Sequence, residues 1–390
     1  LLRADFQALD HKSGVQACIG SAYHGRRTKV LILTLVCSNG LGHYRRCIEI
    51  LSRIQQTKPE AEFVVCCEEW QIERMQDWAL SREFWSGRAK AIHGVMQPGV
   101  SWSTDPSIYG DGRLFSWEDR LEKLPELETA DLVISDNLPG ILRFRPDATL
   151  MGSFLWGGLL AAKHPLSAEA QRYAAYESEL LLEHKPPMVC VDSLAMPSIS
   201  ELCKPVKTGF MCPESYAPAG NENFQRDRIA VLVGATPALV SELPNLFESL
   251  LEKADGPIWT SQNLIQRQEK RIAKHLRAFG FSAEDYASCA VVICRPGVGT
   301  ITECLAQATP MITIHEPGNK EMEHNSRILE QLGVGINAGP ELSCNRMQNA
   351  LVECLERSAE MQLRATTLDR NGFSHAVSFF LNRVAKDCAQ

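Results

Sequence analysis

Apolar positions along the chain fall into short, nearly continuous runs. They are "KVLILTLV" (29–36), "EFVVCC" (62–67), "DLVIS" (131–135), "TLMGSF" (149–154), "MVCVD" (188–192), "IAVLVG" (229–234), "PIWTS" (257–261), "AVVIC" (290–294) and "MITI" (311–314). Runs of this kind suit strands buried on both faces, as in parallel sheets. Between them the period changes to that of a helix. Cys47, Ile50, Leu51 and Ile54 are spaced i, i+3, i+4, i+7, and Met322, Ile328, Leu329 and Leu332 form a second stripe that Gly333 stops. Alternating strands and helices predict an α/β protein with doubly wound parallel sheets. The pattern restarts after "MCPESYAPAGNENFQRD" (211–227), which is polar, Pro- and Gly-bearing and aperiodic. At 390 residues the chain is also too long for one compact core. The expected layout is an N-terminal extension (1–27), a first domain (28–212), a linker (213–225), a second domain (226–370) and a closing helical segment (371–390) able to pack on either domain.

Two glycine turns sit where a strand hands over to a helix. In open parallel sheets this is where ligands bind, beyond the carboxyl ends of the strands. The first is "SNGLGHYRR" (38–46), with Asn39, Gly40 and Gly42 in the turn and His43 in the first helical turn. Helix N-terminal amides there can meet a phosphate or an acceptor, and the positive helix end favours a neutral imidazole suited to general-base work. A His that merely packs near the turn is equally compatible. Arg45 and Arg46 can meet phosphate or acidic groups, and one of the two is expected to be solvated surface. Asp136, in "SDNLPG", ends a strand on the same side; it orients His43, binds an acceptor or, the slightly favoured reading, caps a turn.

The second turn is "CRPGVGTITEC" (294–304), with Arg295, Gly297, Gly299, Thr300 and Glu303. Thr300 and Glu303 have the T-x-x-E spacing of a capping box, the structural explanation for the acid. The functional one is a carboxylate that accepts two ribose hydroxyls while the turn amides meet a diphosphate. Neither GxxxxGK[ST] nor GxGxxG occurs, which argues against a P-loop ATPase and a dinucleotide fold. The following "HEPGNKEMEHN" (315–325) crowds Glu321, Glu323, His324 and Asn325 at a helix start. They serve the helix end or solvent, or they aim carboxylate and amide at ligand hydroxyls.

Composition narrows the classes. The net charge of −7 argues against an extended nucleic-acid surface. The 14 cysteines lack zinc-type CxxC spacing and read as small buried hydrophobes in a reducing compartment. No metal is expected, since there is also no DxD sequence to clamp a diphosphate through one. No run approaches the roughly 18 apolar residues of a membrane span, and no secretory leader is read at the start. The longest apolar stretch, "GSFLWGGLLAA" (152–162), is either buried or an apolar surface.

The stretch "RPGVGTITECLAQATPMITI…GNKEMEHNSRILEQLGVG" resembles the C-terminal donor half of glycosyltransferase family 28, which includes the lipid-II-forming N-acetylglucosaminyltransferase. "SNGLGHYRR" resembles the glycine-rich, His-bearing loop of that fold's N-terminal half and is similar to the loop of nucleotide-sugar hydrolases of pseudaminic acid synthesis. The resemblance implies a GT-B fold, two Rossmann-like domains facing a cleft. It implies that Glu303 meets the donor ribose, that Gly297, Gly299 and Thr300 lie near the diphosphate, and that Glu321 and Asn325 contact the donor sugar. It also implies that His43 is the base near the acceptor and that Phe281, in "AFGFSAEDY", lies beside the nucleobase. Two departures stand out. "GATPAL" (234–239) replaces a GGS-type loop, so phosphate contact at Gly234 is less secured. Acids replace Gln in 315–325, so the donor sugar is expected to differ.

The function implied is inverting transfer of a sugar from a UDP-linked donor to an acceptor hydroxyl. The nucleotide-sugar is a substrate and no cofactor is required. His43, with Asp136, would take the acceptor's proton, and the 297–299 amides with Arg295 would stabilise the leaving diphosphate. The acceptor would be a small molecule, a glycan or a lipid-linked molecule. The expected location is cytoplasmic, with peripheral contact at the inner membrane face if "GSFLWGGLLAA" lines an apolar groove. Two rivals remain at this level: a nucleotide-sugar hydrolase using the same His43, and a non-catalytic GT-B module.

Overall fold

A computed structural model describes residues 29–95, 117–213, 225–234, 237–253, 256–340 and 344–387. The proposed N-terminal extension, nearly all of the proposed linker and the residues directly after Gly234 lie outside this set.

The described chain builds two parallel sheets. The first has the order β3-β2-β1-β4-β5-β6-β7. Its strands are β1 (Leu31–Leu35), β2 (Glu62–Cys66), β3 (Ala89–Ile92), β4 (Leu132–Asp136), β5 (Thr149–Met151), β6 (Pro187–Val191) and β7 (Lys204–Thr208). The second has the order β10-β9-β8-β11-β12-β13. It comprises β8 (Arg228–Leu232), β9 (Ile258–Thr260), β10 (Leu276–Ala278), β11 (Cys289–Cys294), β12 (Met311–Ile314) and β13 (Gly335–Gly339). In both sheets the order reverses beside the first strand, so the carboxyl ends of β1 with β4 and of β8 with β11 flank a crevice. This is the α/β, GT-B arrangement of two Rossmann-like units.

The apolar runs form central strands because both faces of each sheet are covered. Along β1, Ile32 faces one core cluster and Leu33 and Leu35 the other, and all three are fully buried. Along β8, Ala230 and Leu232 face one side and Ile229 and Val231 the opposite side. Burying each such branched side chain stabilises by about 1.5–3 kcal/mol. One cluster runs through both units: Ile32 and Ile134 join Ala230 and Ile301 through Phe210, Met211, Phe373 and Phe380. The chain crosses between units along two segments that pair with each other. Phe210 N donates to Asp369 O at 2.8 Å and Gly372 N donates to Phe210 O at 3.0 Å. Helix Gly372–Asp387 then packs against helix Leu41–Thr57 and β7, so the closing helix returns to the first unit.

Local endings follow the sequence signals. Helix Lys320–Gln331 begins at Asn319, whose side chain accepts from Met322 N at 3.3 Å. It ends at Gly333, with a φ of 70°, where Gly333 N donates to Glu330 O and Val334 N to Leu329 O. That pair of bonds is a Schellman ending, which the left-handed glycine permits. The "GSFLWGGLLAA" stretch is resolved in favour of burial. Phe154, Leu155, Trp156, Leu159 and Leu160 all lie in the first unit's core rather than lining an exposed groove.

Candidate active site

The crevice is furnished from strand ends on both sides. Beyond β1 the chain turns at Gly40, whose φ of 135° excludes side-chained residues, and enters helix Leu41–Thr57. Gln71 fixes this turn. Fully buried, its Nε2 donates to Cys37 O and Gly40 O, both at 3.1 Å, while its side-chain oxygen accepts from Glu68 N. His43 is the third residue of the helix and faces the end of β4.

There Asp136 is completely buried. His43 Nδ1 lies 2.9 Å from Asp136 Oδ2, Arg46 Nη2 donates to Oδ1, and Cys47 Sγ lies 3.7 Å from Oδ2. Burial alone would raise the Asp136 pKa, but Arg46 and His43 outweigh it and hold the carboxyl below the usual range. An ionised carboxylate only accepts, so Nδ1 carries the proton and Nε2 is left as the basic nitrogen. Arg46 Nη2, 3.5 Å from Nδ1, is too distant to contest this. The loop after Asp136 is itself fixed, its Asn137 N donating to Met151 O at 2.9 Å. Asn137 adopts a φ of 56°, and its amide nitrogen reaches Met151 O and Phe154 O. Gly152 leaves the room: a Cβ there would lie 1.7 Å from the Asn137 amide.

On the facing side, helix Val298–Ala306 starts beyond β11. Its N-cap is Gly297 and no side chain caps it, so the T-x-x-E capping box predicted from Thr300 and Glu303 does not form. The reason is one of register: Thr300 is already the third helical residue. A Cβ at Gly297, Gly299 or Gly42 would meet nothing within 4 Å, so these glycines border open space. Freed from capping, Glu303 is buried and reaches across the crevice, where Arg45 Nη2 donates to its Oε1 at 2.7 Å. Its Oε2 is buried without a partner. The expectation that Arg45 or Arg46 is solvated surface is therefore overturned: each is committed to an acid of the crevice.

The β12 end adds more acids. Arg295 Nε donates to Glu316 Oε1 at 2.8 Å, and Asn319 Nδ2 donates to Glu316 Oε2 at 3.2 Å. Asn325 is fully buried and donates to Pro296 O at 2.9 Å, tying its helix to the second glycine turn, while its Oδ1 has no partner. Glu321 is pushed up to about 7 by burial, against the opposing pull of Arg295, His43 and Arg46. It therefore feels charges from both sides of the crevice. Phe281 is 46% exposed and holds a φ of 60°, uncommon for a bulky residue. Its ring packs edge-on to Phe279, which packs on Tyr286, a residue that feels the charges of Glu303 and Arg45. Gly234 follows β8 with a φ of 70°.

His43, Asp136, Arg295, Glu303 and Glu321 thus share one crevice. Sequence reasoning passed over Gln71 and Glu316. Glu316 lay in a stretch already noted for its acids, whereas a lone Gln in a polar helix start carries no signal of its own.

Among the described residues, no group of three or more His, Cys, Asp or Glu could hold a metal ion, and no helix is long and apolar enough to cross a membrane. The described cysteines are all free, and all but Cys344 are buried.

Residues 231–378 match the glycosyltransferase family 28 C-terminal domain, a stretch that lies within the second unit and the closing helix. An uncharacterized glycosyltransferase of Methanosarcina mazei is 26% identical over 127 residues, which are 31% of this chain and 33% of that one. The chain therefore spans about a third of the length of that curated relative. The structure of UDP-glucose:anthocyanidin 3-O-glucosyltransferase in complex with UDP is similar with a TM-score of 0.65 at 14% identity, covering 92% of this chain and 99% of that one. The glycosyltransferase VinC in complex with dTDP is similar with a TM-score of 0.57 at 14% identity, covering 92% and 100%. At these identities the likeness is one of fold.

Proposed function

We propose that the protein is an inverting glycosyltransferase that moves a sugar from a nucleoside-diphosphate sugar, UDP-linked, to an acceptor hydroxyl. The observation that carries this reading is the pairing of a His43–Asp136 dyad with a buried, half-satisfied Glu303 across one crevice. In this reading Nε2 of His43 takes the acceptor's proton, and Asp136 balances the imidazolium that forms. Glu303 accepts ribose hydroxyls through Oε2. The first-turn amides of helix Val298–Ala306, Val298 and Gly299 among them, stabilise the departing diphosphate. Glu321, Glu316 and Asn325 face the donor sugar, and Phe281 borders the base. The acceptor is a small molecule or a glycan. A lipid-linked acceptor loses its sequence support, because the apolar stretch that suggested it is core. The family 28 match over the donor half, and the UDP or dTDP carried by the similar structures, support a nucleotide-sugar substrate.

The test is turnover of UDP-sugars with and without a panel of acceptors, following UDP release and product mass. Acceptor-dependent release with an inverted anomeric centre is expected. Release that is unaffected by any acceptor, with free sugar as product, would instead make the protein a hydrolase.

A further inference from the structure

The carboxylate assigned above to the donor ribose is held from the opposite unit. Glu303 belongs to helix Val298–Ala306, whereas Arg45 belongs to helix Leu41–Thr57, two residues beyond His43. Arg45 Nη2 donates to Glu303 Oε1 at 2.7 Å. The guanidinium is also seated over the ring of Trp78, 5.4 Å from its centroid. Trp78 is the N-cap of helix Ala79–Ser86, which packs on the helix bearing Arg45. The carboxylate is therefore divided. One oxygen is fixed by a first-unit side chain, and the other, Oε2, is buried with no partner.

An unpaired buried carboxylate oxygen is costly unless something donates to it. An arginine that merely filled an empty ribose site would be expected to take both oxygens in the bidentate fork it favours. Here it takes one and leaves the enclosed one vacant. We propose that Arg45 is a positioning residue for the donor site: its ion pair across the crevice aims Glu303 Oε2 at a ribose hydroxyl. Donor binding in the second unit then depends on a residue of the first, on the same helical turn as His43. The inference rests on the donor reading above and adds to it a coupling between donor occupancy and the turn that carries the base.

Calorimetric titration of UDP into wild type, R45M, R45K, E303Q and R45M/E303Q tests this. R45M should bind UDP about tenfold more weakly, the loss expected for a bond to a charged group. R45K should recover part of the loss. The double variant should bind no more weakly than E303Q, because Arg45 acts through Glu303. In turnover, R45M should raise the donor KM more than it lowers kcat. R45M binding UDP as tightly as wild type, or more tightly, overturns the inference and makes Arg45 a bystander or a competitor. Losses in R45M and E303Q that add fully in the double variant also overturn it, with the donor reading intact. Failure of wild type to bind UDP removes the donor reading and this inference together.

Discussion

Replacing Asp136 by Asn separates what the carboxylate does for the fold from what it does for the base. Asp136 is fully buried and accepts from His43 Nδ1 and from Arg46, whose side chain is only 13% exposed. Removing the negative charge leaves that guanidinium enclosed without a counter-ion. Breaking a buried pair in this way costs about 3–5 kcal/mol, and the oxygen that Asn retains puts the variant at about 3. For units of this size each kcal/mol moves the melting temperature by about 2–4 °C, so a fall of roughly 6–12 °C is expected. The chemical effect is distinct. An Asn can turn its amide nitrogen toward Nδ1, which moves the imidazole proton to Nε2 and abolishes the base. Turnover should drop by roughly 10²–10⁴. The double variant D136N/R46Q removes the stranded charge and should melt closer to wild type while remaining inactive. Differential scanning calorimetry and UDP release from a UDP-sugar, with rates normalised to folded protein, give both numbers. A D136N protein that keeps more than about a tenth of wild-type turnover would refute the dyad, since general-base catalysis is worth at least about a hundredfold.

His43→Ala should keep UDP affinity within about twofold and lose turnover, because the ring touches the proton in flight rather than the nucleotide. Glu303→Gln should weaken UDP binding; because Gly297 is the N-cap, any fall in the urea midpoint reports the lost ion pair with Arg45, and R45M should match it, rather than a loosened helix start. Glu321 and Glu177 are both raised by burial to about 7, so their protonated forms favour the folded state. That stabilisation is complete below the unfolded value near 4.5 and is lost as pH rises through about 7. Melting curves between pH 5 and 8.5 should show wild type losing more stability with rising pH than E321Q or E177Q, and equal slopes would contradict the burial argument. Gly372→Ala would place a Cβ 2.2 Å from the Gly209 carbonyl, so it should destabilise by about 1–3 kcal/mol, read as a lower denaturant midpoint.

The central strands were legible from sequence because they are buried on both faces. "MITI" matches β12 residue for residue, and "AVVIC" differs from β11 by one position. The strands that sequence reading missed are β3, β7, β10 and β13, the four sheet edges. Three of them are half-open, such as "KPVKT" with a proline and two lysines, and "GINAG" is held by glycines and a single branched residue. Edge strands need not be apolar, so the pattern that marks their neighbours is absent.

The site was legible one turn at a time. His43 and Glu303 each stood out beside glycines, but nothing in the chain order reveals that Arg45 and Glu303 are partners, 258 residues apart. The same limit made T-x-x-E look like a cap. Helix register decides whether Glu303 turns back on its own helix or reaches across the crevice, and that register is set by Gly297 rather than Thr300. Asp136 was read slightly in favour of a turn cap because its two partners lie on another helix.

The most direct measurement is thermal melting of the wild-type protein with UDP, dTDP, GDP, ADP and buffer, repeated on E303Q. A ligand at about 100 times its Kd adds roughly 2.7 kcal/mol of stability, a rise of about 5–11 °C at about 2–4 °C per kcal/mol. The account predicts that rise with UDP in wild type and a reduced one in E303Q. No rise with any diphosphate, or an equal rise in both proteins, would contradict a donor site built on Glu303.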